Sequence, residues 1–283
     1  MQGVGNDFVV IDAAVVAADV SWSDLARTLC DRKFGIGADG LLVVSKDFDA
    51  PEACRMQMFN PDGTEDMCGN GLRCISLWAH RAGWLDTQTH FTVAALDGPR
   101  AVEMLSVSDD GRTAAFRVDM GTPLFDPTHL PISDVEAHPD SVIRCPLMAG
   151  GDVYEITTVN TGSTHTVIFG PQPTETVFQT VSPLIENDPL FPERTSVLWA
   201  TLRSPETIDI RIWERGAGET LGCGTGACAV GVAAVVNHLS PPNIPLDIVS
   251  KGGTLRILWP GGDAPVSLEG PAQVVYEGDF ANA

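Results

Sequence analysis

Short runs of apolar, β-forming residues alternate along the chain with turns rich in glycine and proline. Alternating or continuous apolar runs of about four to eight residues between turn signals are typical of strands. We predict strands at residues 8–11, 41–45, 56–59, 114–118, 155–159, 166–169, 196–202 and 208–213. The pattern therefore predicts a protein in which sheets outweigh helices.

Two longer apolar segments predict helices, and both begin with the sequence Cys-Gly-x-Gly, at Cys68 and at Cys223. Each follows a strand-like segment whose aromatic residue, Phe59 or Trp213, lies nine or ten residues before the cysteine. The order strand, polar loop, Cys-Gly-x-Gly and apolar helix thus occurs twice. We interpret this as an internal duplication with a break near residues 110–112.

The second of these apolar segments, residues 220–236, is interrupted by glycines and is short for a bilayer span. It is better interpreted as a helix buried on all sides. An earlier helix is predicted to begin with Ser23 as its N-cap and to continue to about residue 33. The proline-rich stretch 123–139 is predicted to be an exposed connection.

Glycines at positions 35, 37 and 40 imitate a dinucleotide-binding fingerprint. The true fingerprint follows a strand and opens a helix, whereas this one follows a predicted helix and precedes a predicted strand. We therefore interpret it as a helix C-cap and turn.

Many short strands around two central helices indicate an α+β fold of two domains that face one another. We expect the first domain to span residues 1–112 and to carry Cys68. The second is expected to span residues 113–267 and to carry Cys223.

Composition narrows the class of protein. The chain has 283 residues, of which 44% are hydrophobic, so it can form a packed core. Its formal net charge of −20 argues against nucleic acid or an anionic membrane as a partner. Seven cysteines without regular spacing do not resemble a disulfide framework, and no signal-peptide pattern opens the sequence. We expect a reducing, cytoplasmic location.

A cysteine at a helix N-terminus lies beside backbone N–H groups that have no partner within the helix. These groups and the helix dipole stabilise a thiolate. The glycines that follow allow close approach of a ligand, and the remaining N–H groups can bind a carboxylate. Cys68 and Cys223 are therefore candidate reactive thiols, each with an adjoining anion site.

A thiolate on one face of an amino acid and a thiol on the other suit inversion at the α-carbon. One group removes the α-proton while the other delivers a proton to the opposite face. None of the three lysines lies in a recognisable pyridoxal phosphate motif, so we expect no cofactor. Backbone N–H groups would instead stabilise the carbanion through the substrate carboxylate.

Other interpretations of the cysteines remain open. A lone cysteine is usually a small core residue, and Cys74 and Cys228 could join the reactive pair in a metal site. At ~100° per helical residue, however, Cys74 is turned by about 120° from Cys68, and Cys228 by about 140° from Cys223. We therefore expect no metal and interpret Cys74 and Cys228 as core residues.

The adjacent charges Glu214 and Arg215 precede the second reactive helix. They could form a surface ion pair. They could equally hold the ammonium and carboxylate groups of a substrate, and we favour this second interpretation.

Segments along nearly the whole chain closely resemble the diaminopimelate epimerase family. The matching pieces are GVGNDFVVID, DRKFGIGADGLL, FNPDGTEDMCGNGLRC, NTGSTHTVIF, FPERTSV, WERGAGETLGCGTGACA and GPAQVVYEGDF. The resemblance implies two pseudo-symmetric domains, each a curved mixed sheet around a central helix, with a C-terminal strand at 268–283 that completes the first domain. It also implies LL/meso-diaminopimelate epimerisation without a cofactor, and often a homodimer.

The resemblance assigns roles position by position. Cys68 and Cys223 correspond to the catalytic pair, and His165 and Glu214 are implied to lie near the thiols and tune them. The implied substrate contacts are Asn6, Asn60, Gly69, Asn70, Ser163, Ser196, Glu214, Arg215, Gly224 and Thr225.

Three positions depart from the family pattern. Ser163 and Ser196 stand where asparagine is usual, and Gly40 replaces a glutamine found in many members. A serine offers one short hydroxyl in place of an amide donor and a carbonyl acceptor. The changes concern recognition of the far end of the substrate. They leave open a racemase for another amino acid, such as histidine, and a non-catalytic binding protein or redox sensor also stays open.

Overall fold

The computed structural model describes residues 1–46, 52–85, 87–96, 98–127, 129–133 and 141–280. The strands are β1 Gln2–Gly3, β2 Asn6–Asp12, β3 Gly40–Ser45, β4 Cys54–Phe59, β5 Glu65–Asp66, β6 His90–Ala95, β7 Gly98–Val107, β8 Thr113–Asp119, β9 Cys145–Ala149, β10 Asp152–Asn160, β11 Thr164–Phe169, β12 Ser196–Ser204, β13 Thr207–Glu214, β14 Gly218–Thr220, β15 Leu246–Ser250, β16 Gly253–Leu258 and β17 Ser267–Gln273. The α-helices are α1 Trp22–Leu29, α2 Gly69–Arg81, α3 Glu175–Glu186 and α4 Gly224–Val236.

All eight predicted strands are confirmed, because each lies within an observed strand. The prediction missed α3, which contains Pro183. Proline inside a helix removes a hydrogen bond and usually argues against the assignment. The signal that could have found α3 is Thr174, whose side chain accepts a hydrogen bond from the Val177 N–H and caps the helix.

The predicted start of α1 was wrong. Ser21, not Ser23, is the N-cap, because its hydroxyl accepts a hydrogen bond from the Asp24 N–H at 3.3 Å. Ser23 lies inside the helix and donates instead to the Gly63 carbonyl at 2.8 Å. The helix also ends at Leu29, earlier than predicted.

The chain forms two compact units. Unit 1 comprises Met1–Asp119 together with the segment from Glu269 onward, and unit 2 comprises Met120–Leu268. The boundary expected at residue 112 lies in the turn between β7 and β8, and these strands pair antiparallel, so unit 1 continues to the end of β8. Strand β17 pairs with β1 and with β8.

The two units repeat one order of connections. In unit 1, β2 is parallel to β3, β3 is antiparallel to β4, and β4 pairs antiparallel with β5 and parallel with β6. In unit 2, β11 is parallel to β12, β12 is antiparallel to β13, and β13 pairs antiparallel with β14 and parallel with β15. The expected pseudo-symmetric α+β fold is thereby confirmed.

One helix forms the centre of each unit. Helix α2 contacts β1, β2, β3, β4 and β8, and α4 contacts β10, β11, β12, β15 and β16. Apolar side chains surround α4, and its residues from Gly226 to Ala234 are all buried, as the pattern predicts. No helix in the described part of the chain has the length and apolar character needed to cross a membrane.

The proline-rich stretch 123–139 is not simply an exposed connection. Its described part places Leu130 and Ile132 in a hydrophobic core with Phe178 and Val197. Burial removes the apolar side chains of Leu130 and Ile132 from water, which favours packing of this stretch onto the core. Residues 128 and 134–139 of this stretch lie outside the described residues.

We expect Gly231→Ala to destabilise unit 2, because the new Cβ would lie only 2.7 Å from Ile257 Cγ2. Overpacking of this kind costs about 1–3 kcal/mol, against a helix-propensity gain of at most about 1 kcal/mol. Urea unfolding measures the free energy change.

The matched control is Gly170→Ala, whose Cβ meets nothing within 4 Å and should change stability by less than about 0.5 kcal/mol. Equal stability of the two variants would contradict the packing argument. In the background Ile257→Ala, the cost of Gly231→Ala should shrink.

Candidate active site

Cys68 is the N-cap of α2. Its backbone is extended, with φ −143° and ψ 115°, and its Sγ accepts a hydrogen bond from the Gly71 N–H at 3.4 Å. A Cβ at position 71 would lie 2.9 Å from Leu42 Cδ2, so glycine lets the first turn approach β3 closely. The first turn of a helix has no carbonyl acceptor for its N–H groups, and here the sulfur accepts the N–H of Gly71 instead.

Cys223 is the N-cap of α4 and has the same geometry, with φ −132° and ψ 118°. Its Sγ accepts from the Gly226 N–H at 3.3 Å and lies 3.4 Å from Thr225 Oγ1. The Thr161 hydroxyl donates to the Thr225 carbonyl at 2.8 Å and supports this first turn. N–H donation at a helix N-terminus stabilises a thiolate in both units.

A chain of amide groups orients Cys68. Asn6 Oδ1 lies 3.7 Å from Cys68 Sγ and accepts from Asn70 Nδ2 at 3.1 Å. Asn6 Nδ2 donates to Asp39 Oδ2 at 2.8 Å, so the amide oxygen must face the thiol. The fully buried Arg73 donates to Asn70 Oδ1 at 2.7 Å and fixes the second amide.

The sequence pointed to Asn6 and Asn70 but not to Asp39 or Arg73. Arg73 also donates to the Pro271 carbonyl at 3.1 Å, which ties α2 to the C-terminal strand β17. The available signal was a single arginine within the apolar face of a helix. A buried guanidinium needs several acceptors, and their positions are set only by the fold.

Asn60 follows β4 and begins the turn before β5. Its backbone N–H donates to the Thr64 carbonyl at 2.8 Å, and Asn60 Nδ2 donates to Thr64 Oγ1 at 3.1 Å. Gly63 takes a positive φ of 84° in this turn. The structure thus shows Asn60 holding its own turn together, and its contact with substrate stays a prediction.

Glu214, Arg215 and Ser196 lie together in unit 2. Strand β13 ends at Glu214, whose Oε1 accepts a hydrogen bond from the Thr220 hydroxyl. The Arg215 N–H donates to Ser196 Oγ at 3.1 Å, and Arg215 Nη1 donates to the Glu193 carbonyl at 3.1 Å. The hydroxyl of Ser196 therefore anchors the backbone of Arg215.

His165 is buried on β11, and its Nε2 lies 3.0 Å from Ser163 Oγ. Its Nδ1 has no hydrogen-bond partner among the described residues. Burial, and secondarily the positive charge of Arg215, lower the pKa of His165 to about 3. The imidazole is therefore neutral at physiological pH and supplies no positive charge to a thiolate.

A cavity of about 390 Å³ lies in unit 2 beside these groups. Its polar lining includes His129, Asn160, Ser163, Glu193 and Arg215. Small-molecule sites are typically concave, with a few placed polar groups and volumes of about 300–1,000 Å³. The cavity is large enough for part of an amino-acid ligand, and its lining contains an acidic residue, Glu193, and a basic residue, Arg215.

The remaining helical cysteines behave as core residues. Cys74 and Cys228 are both fully buried, and burial raises the pKa of Cys74 to about 12. Within the described ranges, no group of three or more histidine, cysteine or acidic side chains could hold a metal ion.

Solved structures share this fold. A hydroxyproline epimerase from Agrobacterium vitis superimposes with a TM-score of 0.65 at 11% identity, covering 96% of this chain and 89% of that one. A PhzF-family phenazine biosynthesis protein from Bacillus anthracis gives a TM-score of 0.61 at 16% identity, covering 96% and 92%. The fold is therefore one that also occurs in an epimerase and in a PhzF-family protein.

Sequence relatives define the particular family. The profile of the diaminopimelate epimerase family matches residues 1–125 and 157–275. The diaminopimelate epimerase of Pelotomaculum thermopropionicum is 41% identical over 99% of this chain and 96% of its own length, and that of Desulforudis audaxviator is 39% identical over 100% and 98%. This chain belongs to the diaminopimelate epimerase family, whose members are isomerases.

We expect His165→Gln to weaken the pH dependence of stability. Below pH 6.5, the ordinary histidine pKa, His165 is protonated in the unfolded chain. In the folded chain it stays neutral down to about pH 3. Folding stability should therefore fall as pH falls through this window, by up to about 1.4 kcal/mol per pH unit from this residue.

Urea unfolding of wild type and variant at pH values between about 5 and about 7 measures this slope. The variant should lose stability less steeply on acidification. Parallel curves for the two proteins would show that folding does not lower the pKa of His165.

Proposed function

We propose that this protein interconverts LL- and meso-diaminopimelate, with Cys68 and Cys223 as the acid and base. The observation that carries the proposal is the matched geometry of the two thiols, each of which caps the N-terminus of a central helix. The names of the relatives that match almost the full chain support this substrate.

The reaction needs two proton-transfer groups that reach one α-carbon from opposite faces. The thiolate takes the α-proton and becomes a thiol, and the opposite thiol gives its proton to the carbanion and becomes a thiolate. No other atom is exchanged, and the roles of the cysteines reverse in the opposite direction. A thiolate held by backbone N–H groups is suited to both steps, because it needs no reorganisation.

The carbanion must be stabilised through the substrate carboxylate. At each helix, one first-turn N–H group goes to the cysteine sulfur, at Gly71 and at Gly226. We propose that the preceding N–H groups, at Gly69 and Asn70 and at Gly224 and Thr225, bind the substrate. They would supply the stabilisation that a cofactor supplies elsewhere, and we propose no cofactor.

Charged groups in unit 2 suit the far end of the substrate. We propose that Arg215 binds its carboxylate and Glu214 its ammonium group, with the hydroxyls of Ser163 and Ser196 nearby. The cavity that contains Ser163, Arg215 and Glu193 supports this placement. Asn6 and Asn60 are proposed as the corresponding contacts in unit 1, and neutral His165 as a neighbour of the site that adds no charge of its own.

We also propose that the protein is cytoplasmic and that it forms a homodimer. Light scattering, which gives the molar mass in solution, tests the homodimer. The exposed side chains of Val275, Tyr276 and Phe280 offer an apolar surface near the C-terminus. A monomer at working concentration would contradict this part of the proposal.

The direct test is α-proton exchange followed by NMR in D2O under reducing conditions. LL-diaminopimelate, meso-diaminopimelate and single amino acids, including histidine, are offered separately. We expect exchange with inversion of diaminopimelate alone. Cys68→Ala and Cys223→Ala should each lower the rate of inversion by about 100-fold or more, because each removes one proton-transfer group.

Cys74→Ala and Cys228→Ala are the matched controls, since they remove buried thiols from the same two helices. Both should keep inversion. Turnover of another amino acid but not of diaminopimelate would contradict the proposed substrate and leave the proposed two-thiol mechanism in place. No exchange with any amino acid would favour a binding protein or redox sensor.

The contact between Ser196 and Arg215 generates a second test. Ser196→Ala removes a hydrogen bond worth about 1 kcal/mol from the Arg215 backbone, so we expect KM for diaminopimelate to rise about fivefold. Ser204→Ala is the matched control, because Ser204 Oγ also accepts a backbone N–H, from Glu206, at the other end of β12. An equal KM in both variants would contradict an anchoring role for Ser196.

A further inference from the structure

Glu186 is the last residue of α3, and its side chain is only 7% exposed. A carboxylate at a helix C-terminus lies at the negative end of the helix dipole, where acidic residues are disfavoured. Burial adds a cost unless donors satisfy the carboxylate oxygens. The helix dipole and burial therefore both disfavour a carboxylate at this position, and its contacts must offset that cost.

Three donors converge on this carboxylate. Oε2 accepts from the Trp213 indole N–H at 2.7 Å, and Oε1 accepts from the Gly216 N–H at 2.8 Å. Oε1 also accepts from Arg194 Nη1 at 3.2 Å. Trp213 immediately precedes Glu214 and Gly216 immediately follows Arg215, so one carboxylate holds both ends of the charged pair.

The turn directs one of its backbone donors to this outside acceptor. Strands β13 and β14 form a hairpin in which Glu214 pairs with Gly218, and the Ala217 N–H donates to the Glu214 carbonyl at 3.0 Å. Gly216 takes a positive φ of 77° within it, and its N–H donates out of the hairpin, to Glu186. Gly216 is exposed, so water can satisfy this N–H group, and the bond to Glu186 serves to fix the position of the turn.

Helix α3 is itself fixed against the strand that carries the turn. The Phe178 and Trp213 rings meet edge to face with centroids 5.8 Å apart. The Arg211 guanidinium lies 3.7 Å from the centroid of the Phe178 ring, and the Ser182 hydroxyl accepts from the Trp199 indole at 2.9 Å. A packed helix of this kind gives Glu186 a defined position from which to hold the turn.

Unit 1 uses the corresponding helix in the same way. From α1, the Ser23 hydroxyl donates to the Gly63 carbonyl and Arg27 Nε donates to the Asp62 carbonyl, both at 2.8 Å. These carbonyls belong to the turn that carries Asn60. In each unit the peripheral helix thus hydrogen-bonds the backbone of the turn that carries the proposed substrate groups.

We propose that Glu186 is a positioning residue that sets the place of Glu214 and Arg215 through the backbone of their turn. This inference rests on the proposed function of the two charged residues. Glu186 does not contact the substrate in this role. A shift of the turn by about 1 Å is enough to weaken substrate binding and turnover strongly.

The test compares Glu186→Gln with Glu175→Gln, the same substitution at the exposed first turn of the same helix. The amide that replaces the Glu186 carboxylate presents a donor to a site that already holds three donors, so one bond must break. Steady-state KM and kcat for diaminopimelate, thermal unfolding, and the Trp213 indole N–H resonance are measured for both. Trp213→Phe assigns that resonance.

For Glu186→Gln we expect KM to rise at least tenfold and the indole resonance to move, while the folded fraction stays at the wild-type level. Glu175→Gln should be close to wild type in all three measurements. Glu186→Asp, which keeps the charge on a shorter side chain, should recover part of the lost affinity.

A loss of kcat alone, in proportion to a smaller folded fraction, would make Glu186 merely structural and overturn the inference. Unchanged KM with an unchanged indole resonance would overturn it too. Failure of the proposed function is a different result. Wild type would then show no exchange with diaminopimelate, and the positioning role would fall with it.

Discussion

The first turn of an α-helix leaves backbone N–H groups without acceptors inside the helix, and in this protein a cysteine sulfur accepts one of them in each unit. Cys68 takes the Gly71 N–H and Cys223 takes the Gly226 N–H. The same contact caps the helix and favours a thiolate. Because α2 and α4 are the centres around which the strands pack, the fold and the candidate chemistry depend on one local arrangement.

Duplication explains why the arrangement occurs twice, while the surroundings of the two thiols differ. In unit 1, the amides of Asn6 and Asn70 form an oriented chain that begins at the buried guanidinium of Arg73 and ends at the sulfur. In unit 2, a threonine hydroxyl lies beside the sulfur. An amide oxygen accepts only, whereas a hydroxyl also donates. The two units therefore hold similar thiols with different hydrogen-bonding partners.

Polar turns carry candidate site residues in each unit, and turns are usually the less rigid part of a fold. Here helices α1 and α3 supply side chains that hydrogen-bond the turn backbones directly, from Arg27 in unit 1 and from Glu186 in unit 2. Positioning thus comes from a packed helix and not from the turn sequence alone. A turn whose backbone is held by a packed helix keeps the residues that it carries in defined positions.

Local pattern in the sequence determined the eight predicted strands, the two central helices and the cysteines that cap them, because each depends on neighbours within a few residues. The duplication is visible as the repeat of that local pattern. It misplaced the N-cap of α1, where two serines compete for one role, and it missed α3, where a proline contradicts the helix that tertiary packing stabilises. Only the tertiary structure showed that Arg73 bonds Asn70, that Asp39 bonds Asn6 and that Glu186 bonds the turn after Glu214. It also showed that His165 is buried, which lowers its pKa. Hydrogen bonds between residues far apart in the chain, and the loss of solvent around a side chain, depend on how the elements pack, which no local pattern records.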